Sequence, residues 1–205
     1  MAQHVLVIGS TGGIGSACCT LLKQDAKYKL TAWSSVDLDL NFPDRVFEKD
    51  ISMFDIVINC AAHNQGTYQG FLKNSWQNQL SQIMVNYASN LFLLKHYASS
   101  RTNGKYVWCS TDTSSGITPY KSVYLSTKIA SQFAMDLIQQ EATHISIIEA
   151  QFQAVRTNLR YRNFQGALTA EQVEKTYDSE PLTAEYVAKH ILHAVDNNLE
   201  KVLIQ

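Results

Sequence analysis

The residues Gly9-Ser10-Thr11-Gly12-Gly13-Ile14-Gly15 follow directly on the apolar run His4 to Ile8 and open a helix-patterned stretch, Ile14 to Gln24. Glycines at these spacings let the chain turn tightly and let bare backbone approach a pyrophosphate. A helix N-terminus adds unpaired N–H groups and a partial positive charge. The chemistry expected of this loop is the cradling of a dinucleotide. It lacks the Lys-Ser/Thr ending of a triphosphate-binding loop, and the first lysine is Lys23, which disfavours triphosphate hydrolysis. Farther along, Tyr124 and Lys128 lie four apart in the helical pattern Ser122 to Gln140. That spacing puts them on one face, where an ammonium can stabilise a phenolate and draw a phenol toward working pH.

The elements that must position these groups alternate between short apolar runs and longer helical ones, as in a parallel sheet with crossover helices. Strands are expected at about His4–Ile8, Lys29–Trp33, Val36–Leu40, Phe54–Asn59, Lys105–Cys109, His144–Ala150 and Lys201–Ile204. Helical patterns occupy Ser75–Ser99, Ser122–Gln140 and Ala184–Asn197, with a weaker one at Thr169–Tyr177. The expected architecture is a three-layer, doubly wound α/β fold with a mostly parallel seven-stranded sheet, one domain over residues 1–205. Ser34-Ser35 leaves no room for a crossover helix between the second and third expected strands. The polar, weakly periodic stretch from Arg156 to Pro181 suits a segment that covers a site.

The cofactor is read from the end of the second strand, where an acidic residue would hold a ribose 2′-hydroxyl and repel a 2′-phosphate. Trp33-Ser34-Ser35 stands there, with two hydroxyls able to donate to a 2′-phosphate and no carboxylate before Asp37. NADP is the expected cofactor and NAD the alternative. With 17 basic and 18 acidic residues and no run of either sign, nothing points to nucleic acid or an anionic membrane surface. No window approaches the length of a membrane span and no leader pattern opens the chain, so a cytoplasmic protein is expected. Cys18, Cys19, Cys60 and Cys109 lack the spacing of a metal or disulfide set, and His190 and His193 have no third ligand near them in sequence; no metal is expected.

Taken in order, these motifs resemble the short-chain dehydrogenase/reductase family, a Rossmann-fold family, over nearly the whole chain. The glycine motif matches Gly9 to Gly15, and the adenine-contacting Asp-aliphatic pair resembles Asp39-Leu40. The Asn-x-Ala-Gly motif resembles Asn59-Cys60-Ala61-Ala62, with alanine last. The helix asparagine is matched by Asn86, the active-site hydroxyl falls in Ser110-Thr111, and Tyr-x-x-x-Lys is Tyr124 to Lys128. Because the chain has 10 tyrosines, placement rather than the bare Tyr-x-x-x-Lys match carries the resemblance. The family's Pro-Gly-x-Val-x-Thr is matched by Phe152-Gln153-Ala154-Val155-Arg156-Thr157, which keeps valine and threonine and loses Pro and Gly.

The resemblance implies a nicotinamide-dependent oxidoreductase acting on a small carbonyl or alcohol substrate. Tyr124 would be the acid/base, and Lys128 would lower its pKa and hold the nicotinamide ribose. Thr111, or its neighbour Ser110, would polarise the carbonyl, and Asn86 would hold a water that relays protons to Lys128. Phe152, Val155 and Thr157 would lie near the carboxamide. Two other readings stay open: a non-catalytic dinucleotide sensor, which the lost Pro-Gly favours, and a nucleotide-sugar-modifying relative of the extended branch. The latter is suggested by Ser110-Thr111-Asp112 and the stretch Asp55 to His63, although those relatives carry an added C-terminal substrate domain. Substrate specificity is expected from His63 to Gly70 and from the covering segment. Apolar residues on the helices at Ser75–Ser99 and Ser122–Gln140, Trp76, Leu80, Ile83, Tyr87, Phe133 and Leu137, suit a homodimer or homotetramer.

Overall fold

The computed structural model describes residues 2–112, 119–177 and 182–204; residues 178–181 of the expected covering segment lie outside the described residues. The strands are β1 (Gln3–Ile8), β2 (Tyr28–Trp33), β3 (Ile56–Asn59), β4 (Gly104–Cys109), β5 (Ile145–Phe152), β6 (Val155–Arg156), β7 (Leu182–Thr183) and β8 (Lys201–Ile204). The helices are α1 (Gly13–Gln24), α2 (Trp76–Ile83), α3 (Ser89–Ser100), α4 (Ser122–Glu141), α5 (Asn158–Asn163), α6 (Ala170–Glu174) and α7 (Ala184–Asn197). Six strands form one sheet in the order β2-β1-β3-β4-β5-β8, every neighbouring pair parallel, and β6 and β7 form a separate two-stranded parallel sheet.

The strands read as continuous apolar runs because both faces of the sheet are covered. Val5, Val7, Ile56, Ile58, Val107, Ile148 and Ala150 point toward α1 and α7. Leu6, Ile8, Val57, Tyr106, Trp108, Ile145 and Ile147 point the other way, toward Leu93, Leu94 and Tyr97 of α3 and Met135 of α4. On the first face α7 is also tied to the turn between α1 and β2, where Asp196 accepts hydrogen bonds from the Lys27 ammonium at 2.8 Å and from the Tyr28 hydroxyl. The direction of the winding reverses between β1 and β3, so the crevice at the C-terminal ends of the strands opens there.

The expected strand Val36–Leu40 does not form, and the main sheet has six strands rather than seven. The Asp37 carboxylate accepts from the Ser34 N–H at 2.7 Å and its hydroxyl at 2.9 Å, while the N–H groups of Asp37 and Leu38 donate back to the Ser34 carbonyl. These bonds curl the chain. Val36 is left in solvent, and Leu38 and Leu40 drop into the core, so the apolar alternation that suggests a strand comes from a turn. A 3-10 turn at Pro43–Glu48, with Val46 buried, completes the crossover to β3. The helical pattern Ser75–Ser99 is divided into α2 and α3 by a wide π turn at Met84–Ala88. Such turns shift the register of the side chains beyond them and are frequent at functional sites.

Candidate active site

Gly9 adopts a φ of +76°, and a β-carbon there would lie 2.8 Å from the amide nitrogen of Ala61. The loop is fixed on both sides: Ser10 N–H donates to the Trp33 carbonyl at 3.0 Å, and Cys60 N–H donates to the Ile8 carbonyl at 2.9 Å. Gly12 precedes α1 without a side-chain cap, and the first turn carries no acidic residue. Among the described residues no side chain caps the first amides of α1 in competition with an anion, and the loop fits a dinucleotide pyrophosphate. Thr157 closes over the loop so tightly that a β-carbon on Gly13 would come within 2.4 Å of its methyl group. The Asn59 carboxamide shapes the turn through Cys60, Ala61 and Ala62, accepting from Ala61 N–H at 3.1 Å and donating to Asn90 at 3.1 Å.

Trp33, Ser34 and Ser35 stand at the C-terminal end of β2, as the phosphate-selectivity reading requires. Ser34 is held by Asp37, whose pKa is lowered first by the Ser34 N–H and then by its hydroxyl. Asp39 accepts from the N–H and the carboxamide of Asn41, and Leu40 is buried in the core. One group here is invisible to the sequence motifs. The 3-10 turn delivers Lys49 back to this corner, its ammonium 5.8 Å from the centroid of the Trp33 ring and close enough to Asp37 to contribute to its lowered pKa.

The deeper end of the crevice is a cavity of about 380 Å³ that brings together Ile14, Thr111, Tyr124, Phe152, Val155 and Thr157. Thr111 lines it; Ser110 is buried, its N–H donating to the Ala150 carbonyl. Phe152 and Gln153, where the resembling family keeps Pro and Gly, both line the cavity, and the Gln153 amide reaches Asp112 at 3.5 Å. Lys128 is buried beneath Tyr124, and its ammonium donates to the Cys109 carbonyl at 2.8 Å, 5.9 Å from the centroids of both the Tyr124 and Trp108 rings. Burial lowers Lys128 to about 8, and burial raises Tyr124 to about 12, with Cys109 adding to the rise. Desolvation of the phenolate is the larger cause of the rise in Tyr124, and the Lys128 ammonium is given to the Cys109 carbonyl.

Asn86 lies in the π turn and is 2% exposed. Its carboxamide brackets the backbone of His63, accepting from the N–H and donating to the carbonyl, each at 2.8 Å, and donates to the Thr127 hydroxyl at 3.3 Å. Asn86 therefore ties the loop after β3 to α4. That loop in turn meets the covering segment. Gly66 N–H donates to the Arg162 carbonyl at 2.9 Å, the Gln69 amide donates to the Gln165 carbonyl at 2.8 Å, and Tyr68 stacks on Phe164 with centroids 4.0 Å apart. The two stretches expected to set specificity are clasped together over the cavity. Beneath the site, the Cys60 and Cys109 sulfurs lie 3.7 Å apart because Asn59 and Trp108 are paired on adjacent strands.

With this geometry in hand, residues 5–190 match the family model described as the NAD dependent epimerase/dehydratase family. The chain belongs to that family. Among solved structures, the epimerase/dehydratase-family fold seen here is similar to a small-chain dehydrogenase in complex with NADPH, with a TM-score of 0.83 at 16% identity over 100% of this chain and 97% of that one. It is similar to the ligand-free aldohexose dehydrogenase of Thermoplasma acidophilum, TM-score 0.82 at 17% identity over 99% and 92% of the two chains. It is also similar to the closed form of serine dehydrogenase complexed with NADP+, TM-score 0.81 at 16% identity over 98% and 94%. A search of curated proteins finds no match.

Proposed function

We propose that this protein is an NADP(H)-dependent oxidoreductase that interconverts a carbonyl and an alcohol on a small molecule, with Tyr124 as the proton donor and acceptor. The observation that carries the reading is the convergence of Tyr124 and Thr111 with Ile14, Val155 and Thr157 on one cavity beside an uncapped glycine loop. The bound nicotinamide would supply the hydride. Gly9 to Gly15 would hold its pyrophosphate, and Thr111 would orient the carbonyl oxygen toward Tyr124. A phenol pushed up to about 12 stays protonated at neutral pH, which suits donation to the developing alkoxide and favours carbonyl reduction. Lys128, buried and polarising this corner, supports that transfer from beneath, and Asn86 keeps the substrate loop in register with α4. Ser35 and the Lys49 ammonium support a 2′-phosphate at the end of β2, as do the neighbours solved with NADPH and NADP+, whereas Ser34 gives its N–H and hydroxyl to Asp37.

The exposed apolar side chains Trp76, Ile83, Phe133 and Leu137 on α2 and α4 support a homodimer. No helix among the described residues is long and apolar enough to cross a membrane, and four free cysteines support a reducing, cytoplasmic setting. The test is a fluorescence titration with NADPH and NADH, run with wild type and Tyr124→Phe, followed by carbonyl turnover. Both proteins are expected to bind NADPH more tightly than NADH, and only wild type to turn over. Binding without turnover by wild type on any carbonyl would favour the sensor reading, for which the Phe152 and Gln153 side chains in the cavity speak.

A further inference from the structure

Three of the four cysteines meet on the face of the sheet that α1 and α7 cover: Cys18 of α1, Cys109 at the end of β4 and Cys60 one residue beyond β3. The parallel register pairs Asn59 with Trp108, so Cys60 and Cys109 stand side by side one step farther on, with their side chains on the same face. Adjacent strands lie about 4.8 Å apart, inside the separation of about 4.4–6.8 Å at which a disulfide joins two Cα atoms. The two sulfurs are already hydrogen-bonded at 3.7 Å and have to approach by about a further 1.7 Å to bond covalently.

The pair is chemically unequal. The bond from Cys60 holds the Cys109 pKa down against its burial, and the Lys128 ammonium adds to the lowering. Cys60 is raised well above the ordinary thiol range by its bonds to Cys109 and Cys18 and then by burial. One sulfur is the better thiolate and the other keeps its proton, the division that oxidation of one thiol and its resolution by a second require. Cys60 is also partly exposed, whereas Cys18, Cys19 and Cys109 are buried. Paired thiols in a reducing setting are more often transiently oxidised than permanently linked.

We infer that Cys60 and Cys109 are a modification site, a thiol pair that hydrogen peroxide converts to a reversible disulfide, and that the disulfide weakens dinucleotide binding. The Cys109 thiolate attacks a peroxide oxygen; the S–O bond forms as the O–O bond breaks, and the departing hydroxide takes up the proton that Cys109 had shed. The Cys60 sulfur then attacks the sulfenic sulfur, the S–S bond forms as the S–O bond breaks, and a second water carries away the Cys60 proton. Two thiols and one peroxide give one disulfide and two waters, and a dithiol reductant reverses the change. Both cysteines carry backbone that the site uses. A β-carbon on Gly9 would lie 3.0 Å from the Cys60 carbonyl carbon, and the Cys109 carbonyl anchors Lys128. Drawing the sulfurs together displaces the turn behind the glycine loop, the lysine anchor or both. This consequence rests on the cofactor reading above, whereas formation of the disulfide does not.

The experiment treats reduced full-length protein with hydrogen peroxide, in wild type, Cys18→Ser, Cys60→Ser and Cys109→Ser, and follows intact mass, unreduced peptide maps and NADPH fluorescence titration. Wild type and Cys18→Ser are expected to lose two hydrogens, to yield a peptide joining Cys60 to Cys109, and to bind NADPH about tenfold or more weakly until dithiothreitol restores both mass and affinity. Cys60→Ser and Cys109→Ser are each expected to form no such link and to keep under peroxide the NADPH affinity they have when reduced. Wild type alone decides the linkage, so a variant that fails to fold leaves the test intact. Addition of oxygen without a link, a link between Cys18 and Cys60, or a Cys60–Cys109 link that leaves NADPH affinity within about twofold would each overturn the inference. Failure of reduced wild type to bind NADPH would bring down the cofactor reading and the loss of affinity with it, while the linked peptide would still decide the disulfide.

Discussion

Replacing Lys128 by methionine should make the protein more stable while removing its activity. The lysine is 3% exposed, and burial lowers its pKa from 10.5 to about 8, which corresponds to about 3 kcal/mol of desolvation carried by the charged form at neutral pH. The methionine keeps the apolar stem and removes the charge. It also removes the 2.8 Å bond to the Cys109 carbonyl, a loss of about 1–2 kcal/mol. The net gain is about 1–2 kcal/mol, or about 2–8 °C in Tm for a chain of this size. The sign with pH follows from proton counting. Below pH 8 the folded and unfolded chains both keep the proton, and the folded chain carries the full cost. Between about 8 and 10.5 the folded chain releases a proton that the unfolded one holds, so wild-type stability rises with pH and the gap to the variant narrows. Thermal melts of both proteins at pH 7 and pH 10 measure this directly, and kcat/KM should fall by about 100-fold or more. A variant that melts below wild type at pH 7, or a gap equal at both pH values, would show that the ammonium's bond outweighs its burial and would refute the reasoning.

Lys49→Ala should weaken NADPH by about tenfold and leave NADH within about twofold, read by the same fluorescence titration; equal losses for both would remove Lys49 from phosphate recognition. Gly15→Ala would place a β-carbon 2.2 Å from the Gly9 carbonyl oxygen, so NADPH binding should be lost and Tm should drop by several degrees, whereas Gly12→Ala, whose β-carbon would lie 3.3 Å from the same oxygen, should retain binding. Asn86→Leu strands the N–H and carbonyl of His63 and should cost about 2–4 kcal/mol by urea denaturation, with KM rising as the substrate loop loosens.

Much of the phosphate loop was legible from its residues because its determinants are local: a strand, closely spaced glycines and a helix, all within one stretch of chain. Val36–Leu40 was misread because period-two alternation records only which residues are buried. It cannot distinguish a strand from a turn whose two leucines reach the core while Asp37 curls the backbone around Ser34. Lys49 was invisible for a different reason, since only the 3-10 turn returns it to the end of β2. The same holds for the closeness of Cys60 to Cys109, which depends on strand register, and for the clasp between Gly66 and Arg162. The direction of the Tyr124 shift depends first on burial, and helical spacing does not report it.

The packing of α1 against α7 bears on how the molecule assembles. Tyr28, the first residue of β2, and Asp196 are 168 positions apart in the chain, so α1, which bears the phosphate loop, leaves a ribosome well before α7 does. Its apolar side, with Cys18 and Leu22, has to wait for Val187, Ile191 and Val195 before it is covered. A nascent chain would therefore display that sticky surface until α7 follows. Chaperone dependence and the ability to capture nucleotide should both change abruptly when α7 emerges.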